Sequence, residues 1–415
     1  MLINHIFKRK IILLICSTAF LYQAESQKKN FDYSFYGFVR GDVYYNSRSN
    51  IESVDGLFYI YPRDNMYDAE GKDLNGKPSS SFYTFTTRLG MNIKGPDIGS
   101  AKASASIESD FGGTADVNFM LRIRQAYVKL DWEKGSSLIL GQTWHPLFGD
   151  VIPSVLNLGT GAPFQPFNRS PQINYQYKNG GLKLTTSAIY QLIYTTAGPD
   201  GKNEKYQKNS ILPELYAGLD YKKGNFLAGA GVDMISIKPR LQSTADNNIY
   251  SVDERMTAFS YDLHAKYAQE MFQLSGKTLI ASNQTHTVML GGFGVSEIDS
   301  RTGEQKYTPF KHSASWLNFV YGRKYQAGLF AGYSKNLGTS KSLVSVDKIY
   351  GSGTNIDQFV NLSCYLRYNL PHWNVGLGYT RATAWYGDIQ LSNGKVKNTH
   401  DVTNHRVEAI FLYLF

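Results

Sequence analysis

The sequence predicts an all-β fold: a transmembrane antiparallel β-barrel of about 16 strands, with short periplasmic turns and long extracellular loops. Three observations predict it. Hydrophobicity alternates with a period of two, and no long stretch follows the helical period. Short turns alternate with long polar loops along the chain. The last strand carries Val407, Ala409, Phe411, Tyr413 and Phe415 on one face and ends on an aromatic ring.

Along the chain, a leader comes first. Lys8, Arg9 and Lys10 form a basic start, Ile11 to Leu21 an apolar core, and Ala24-Glu25-Ser26 a small-residue cleavage site. Residues 1–26 therefore read as a cleaved signal peptide and 27–415 as the barrel. Leu14-Ile15 before Cys16 is a poor lipobox. No other segment reaches the roughly 18 apolar residues of a membrane helix. Cys364 stands alone after the leader, so no internal disulfide forms. Removing the leader's +2 from the formal +9 leaves +7, scattered one charge per strand without a Lys/Arg run, which argues against a nucleic-acid partner.

The first strands show the alternation. Phe35, Val39 and Val43 share a face opposite Tyr36, Arg40, Asp42 and Tyr44. Tyr83, Phe85, Leu89, Met91 and Ile93 oppose Thr84, Thr86, Arg88, Asn92 and Lys94. Ala101, Ala103, Ala105 and Ile107 oppose Lys102, Ser104, Ser106 and Glu108. Short turns fall near 95–99, 133–135, 179–180, 223–224, 269–270, 322–323 and 370–372, mostly on Gly, Asn or Pro. Long loops cover 46–79, 110–118, 145–170, 194–210, 239–253, 283–310, 336–356 and 385–401. Seven turns and eight loops need about 16 strands, with 14 or 18 as alternatives. Both ends then lie on the turn side, and sixteen strands enclose a lumen.

A charge facing hydrocarbon costs roughly 2–4 kcal/mol at the midplane, so each strand's charged face should turn inward. That rule gives Arg40, Arg88, Lys183, Lys266, Lys277, Arg367 and Arg406 to the lumen, with Asp42, Glu108, Asp233, Asp262 and Glu408. Arg406, Arg40 and Arg88 come from neighbouring strands if the barrel closes last to first. They would form a basic wall favouring anions, or else a salt-bridge network that fills space. Arg122 and Arg124 share parity with Ala126, Val128, Leu130 and Trp132, which a bulge, a place above the hydrocarbon band or a subunit interface would resolve. Loop 145–170 is too apolar for water. Phe148, Phe164 and Phe167, with Arg169, are expected to narrow the lumen, a subunit-contact lid being the alternative.

Catalytic motifs are absent: no GxSxG, HExxH, CxxC or P-loop occurs, so catalytic residues, metal ligands and cofactors are all read as none. Asp64, Asp68, Glu70 and Asp73 could bind a divalent cation, but they lack calcium-loop spacing and read rather as a solvated acidic loop. His264, beside Asp262 and Lys266, reads as polar wall.

Several short runs also resemble porins of the DcaP-like group: Phe35-Tyr36-Gly37-Phe38-Val39-Arg40-Gly41-Asp42, Thr87-Arg88-Leu89-Gly90, Ile107-Glu108-Ser109-Asp110-Phe111-Gly112-Gly113, Arg122-Ile123-Arg124-Gln125-Ala126-Tyr127 and Leu140-Gly141-Gln142-Thr143-Trp144. They cover about the first third of the chain after the leader. The resemblance implies a trimeric diffusion porin for small anionic solutes such as dicarboxylates, and makes Arg40, Arg88, Arg122 and Arg124 the residues to test. The group's N-terminal coiled-coil extension is missing, with only Gln27 to Asp32 before the first strand. The expectation is therefore a non-enzymatic porin in the outer membrane of a Gram-negative bacterium. Its partners would be outer-membrane lipid, two further copies, small anions, and the barrel-assembly machinery through Phe415. A ligand-specific channel for phosphate or oligosaccharide is the alternative, the latter on an aromatic track of Tyr36, Tyr44, Trp316 and Tyr365.

Overall fold

The computed structural model describes residues 31–53, 56, 58–112 and 120–415; the leader lies outside them, as does most of the loop at 110–118. Sixteen antiparallel strands close into one barrel. The first four are β1 (Asp32–Asn46), β2 in two pieces (Ser79–Tyr83 and Arg88–Lys94), β3 (Ala101–Asp110) and β4 (Arg122–Trp132). Next come β5 (Ser136–Trp144), β6 (Arg169–Asn179), β7 (Leu182–Ile189) and β8 (Glu214–Lys223). β9 (Phe226–Ile237), β10 (Met256–Ala268), β11 (Phe272–Ser282) and β12 (Gln305–Tyr321) follow. The wall ends with β13 (Tyr325–Thr339), β14 (Ile356–Asn369), β15 (Trp373–Ile389) and β16 (Val396–Leu414). Each strand pairs with its sequence neighbour, and β16 closes on β1 with Gly41 opposite Phe411 and Asn46 opposite Arg406. Closure leaves no unpaired edge, which a bilayer requires. Phe415 and Gly37 exchange backbone hydrogen bonds at the turn end, where the first strand also starts.

All seven short turns fall where the sequence places them, between strands two to six residues apart. The outer loops are less regular. The last one shrinks from 385–401 to the residues between Ile389 and Val396, because β15 and β16 keep pairing out to Ile389 and Val396 themselves. The first outer loop carries its own hairpin, Asn50–Ser53 against Phe58–Pro62.

Two bulges reset the face pattern. Between Tyr83 and Arg88, β2 has four residues where β1 has three between Phe38 and Asp42. The extra residue flips parity, so Tyr83 and Phe85 turn inward while Leu89 faces out, a correction to the single face expected for all three. In β4, Glu108 pairs with Gln125 and Ser109 with Ile123, so Arg124 is the extra residue. Arg122 and Arg124 are consequently both buried while Ile123 and Val128 are exposed.

The outer surface is an apolar belt, with Phe35, Leu89, Leu219, Leu263, Leu329, Leu366 and Leu377 exposed. At its turn-side rim stand Tyr325, Trp373 and Tyr413, the amphipathic rings favoured at a membrane boundary. Gly41 shows how tightly this face is tiled. A Cβ there would meet the Phe411 ring at 2.1 Å. Gly41→Val is therefore expected to cost about 1–3 kcal/mol by overpacking. A lower temperature for losing the fast-migrating folded band in a detergent gel would register it; an unchanged temperature would show that the ring swings away freely.

Candidate functional site

The chain between β5 and β6, residues 145–168, crosses the barrel interior and touches most of the opposite wall. Near its start, Lys277 of β11 donates to the carbonyls of Leu147 (2.6 Å) and Phe148 (2.9 Å). Further on, the Ser154 N–H donates to Asn318 of β12 (2.9 Å), and Ser154 Oγ shares a hydrogen bond with the Tyr365 hydroxyl of β14 (2.8 Å). Arg40 of β1 donates to the Leu156 carbonyl (2.7 Å) and Asn157 to Glu408 of β16 (3.4 Å). On the way back, Phe164 stacks on Phe359 with centroids 5.1 Å apart and packs beside Phe330. Gln165 accepts from the Trp316 indole (3.0 Å). Phe148 stacks on Trp144 at 4.0 Å and Phe167 meets the same ring edge-on at 5.0 Å. Arg169 belongs to β6, not to this loop, because its backbone already pairs with Trp144.

A clamp holds both ends of the crossing segment. His145 Nε2 lies 3.0 Å and His286 Nε2 2.9 Å from Glu214 Oε1, and all three side chains are fully buried. The Leu147 N–H donates to His145 Nδ1 (3.2 Å), which places that ring's proton on Nε2, pointing at Glu214. Asn168 donates to the His286 carbonyl (2.9 Å) and the Phe167 N–H to Thr287 (2.8 Å). The clamp thus joins β8 to two loops. Sequence spacing gave no hint of it, because the two histidines lie 141 positions apart.

The arginines of the expected basic wall are buried or half-buried, and they fall into two clusters, not one continuous wall. The first joins β16 and β1. Arg40 pairs with Asp42 (2.6 Å) and Arg406 with Glu408 (3.1 Å). The Arg406 guanidinium sits 4.1 Å from the Tyr44 ring and 4.4 Å from the Tyr59 ring, both at centroid. Arg367 stands nearby over Tyr365 (5.1 Å) and donates to the Val155 carbonyl (3.4 Å).

β2 to β6 build the second cluster. Arg122 and Arg124 both hold Asp110 (2.8 and 2.7 Å). Arg124 also holds Glu108 (2.7 Å), while Arg88 reaches Glu108 only at 3.8 Å and lies over Phe38. Trp144 links this network to Arg169, with guanidinium-to-centroid distances of 5.9 Å for Arg124 and 4.8 Å for Arg169. Arg169 is 1% exposed, caged by Trp144, Phe167 and Tyr194, and donates to the Tyr194 hydroxyl (2.6 Å). Its Nε and Nη1 find no hydrogen-bond partner among the described residues. Among the described residues, four arginines against two carboxylates leave a surplus of two positive charges. The sequence missed Asp110, which it placed in a loop.

Other candidates resolve into structural roles. Asp73 holds Arg48 (2.7 Å), Asp68 accepts the Glu70 and Lys72 amides, and Asp64 meets His400 (2.6 Å). His264 bridges Asp262 (2.6 Å) and Asp220 (2.7 Å). Tyr36, Tyr44, Trp316 and Tyr365 sit in four separate contacts and form no continuous track.

No family model and no curated protein sequence matches the chain. Solved structures do. The outer-membrane channel DcaP of Acinetobacter baumannii superposes with a TM-score of 0.65, 18% identity, 94% of this chain and 98% of that one. OmpT, an outer-membrane protein of Vibrio cholerae, gives 0.56 at 9% identity over 93% and 98%. An anion-selective porin from Comamonas acidovorans gives 0.53 at 14% identity over 93% and 100%. At such identities the likeness is one of fold: the chain has a closed sixteen-stranded barrel with an apolar belt, the fold of the porins and DcaP-like in architecture.

Proposed function

We propose that the protein is an outer-membrane porin passing small hydrophilic solutes, with a preference for anions and for dicarboxylates among them. The observation that carries this reading is the surplus of two positive charges in the β2–β6 cluster, with Arg169 buried and holding two unpartnered nitrogens. A guanidinium in a narrowed, low-dielectric lumen acts with far more force than one in water. It binds a carboxylate through two parallel hydrogen bonds. Two such carboxylates on one small molecule match the surplus in charge. The crossing segment 145–168 supplies the narrowing. Exposed Phe415, which follows the closing strand, suits recognition during assembly, and a structurally similar barrel described in a trimer form supports reading this one as a homotrimer.

Swelling of liposomes loaded with the protein tests it. A four-carbon dicarboxylate is expected to enter several-fold faster than a neutral four-carbon polyol. Equal rates, or a faster polyol, would overturn the preference while leaving the porin. No swelling with either would overturn the porin.

A further inference from the structure

Arg381 is an exposed cation that the packing of the wall does not explain. It lies on β15 in line with Trp373, Val375, Leu377 and Tyr379, all exposed, so it points away from the barrel. Its cross-strand neighbours are Leu362 on β14, also exposed, and His405 on β16. No ion pair or hydrogen bond engages its side chain among the described residues. Lys335, on the same arc of wall, is by contrast tied to Asp357 (2.5 Å). A guanidinium at the edge of hydrocarbon, with no partner among the described residues, is free to take an anion from outside the chain.

The surface beside it is concave. A groove of about 490 Å³ opens outward across β12 to β15, lined by Leu317, Leu329, Leu362 and Cys364, with Tyr379 and Arg381 among its walls. The pairing puts Arg381 level with Leu362, at the loop-side end, and Leu329 level with Cys364, nearer the turns. A second outward groove of similar volume follows on β13 to β15 towards the turns, lined by Tyr325, Leu366 and Leu377. One face thus offers a cation at the membrane boundary and a lengthwise apolar channel beneath it.

We infer that this face binds a phosphate-bearing lipid of the surrounding leaflet, its acyl chain in the groove and its phosphate on Arg381. Charge complementarity selects this occupant. A neutral lipid would fill the groove and leave Arg381 bare, and a free phosphate would leave the groove empty. Guanidinium forks fit phosphate oxygens bidentately, and Tyr379 adds the amphipathic ring expected at headgroup level. The inference does not depend on which solute crosses the lumen.

Cys364 supplies a reporter, since the only other cysteine, Cys16, lies in the leader segment. The test uses delipidated protein in detergent, with phosphatidate, the matching diacylglycerol and inorganic phosphate as separate probes. Alkylation of Cys364 by a maleimide and adduct mass under native ionisation are the readouts. Phosphatidate is expected to form a one-to-one adduct and to slow alkylation about tenfold, equivalent to about 1.4 kcal/mol of binding. Arg381→Gln, checked for folding by its gel migration, should lose most of that protection. Equal protection by diacylglycerol would show an unspecific apolar groove. Protection by inorganic phosphate alone would place the anion site without the lipid. Protection that grows with protein concentration would point to a second copy of the chain. Each of these outcomes, or an unaltered response in Arg381→Gln, would overturn the proposal.

Discussion

Arg169→Glu combined with Arg88→Glu is expected to turn the ion preference of the channel from anions to cations. Among the described residues the wild-type cluster holds four arginines and two carboxylates; the double variant holds two arginines and four carboxylates, so the surplus changes sign without a change in bulk charge elsewhere. At about 5 Å and an effective dielectric near 20, one unit charge acts on another with about 3 kcal/mol. Even after salt screening, a change in the anion-to-cation permeability ratio of at least about tenfold should follow. Reversal potentials of the variant across a salt gradient would measure it. Arg40→Glu provides the contrast. Arg40 is already matched by Asp42 and held by the Leu156 carbonyl, so its replacement should disturb the crossing segment more than the selectivity. A double variant that keeps the wild-type preference would show that the cluster is wall filler.

Glu214→Ala is expected to release the crossing segment. It removes the shared acceptor of His145 and His286 and leaves the buried Nε2 of each ring without its partner. Breaking a buried pair in this way costs about 3–5 kcal/mol. Phe164→Ala attacks the same segment at its far side by emptying the space against Phe359 and Phe330, at a similar cost of about 3–5 kcal/mol. Both variants should keep the barrel, whose closure rests on backbone pairing elsewhere. Single-channel recording should then show larger and noisier conductance steps than wild type. Steps of unchanged size in both variants would mean that segment 145–168 does not set the width.

The barrel was legible because its physics is local. A period of two, a Gly-bearing turn such as Gly135 with its φ of +84°, and charges gathered mostly on one face of each strand are all written in consecutive residues. What escaped had a common cause. One added residue at Arg124 or between Tyr83 and Arg88 reverses every face beyond it, and nothing in composition marks which residue is extra. The His145–Glu214–His286 clamp and the Trp144 link between Arg124 and Arg169 join residues from different strands and loops. Only the closed barrel brings them together. Apolar content drew attention to Phe148, Phe164 and Phe167, while the pairing of arginines with Asp110 needed the three-dimensional neighbours of β3 and β4.

The most direct test of the central claim is the reversal potential of the wild-type channel in a planar bilayer across a tenfold potassium chloride gradient. The surplus of two positive charges beside the crossing segment predicts a potential with the sign of chloride preference. A potential of zero, or one with the sign of potassium preference, would contradict it.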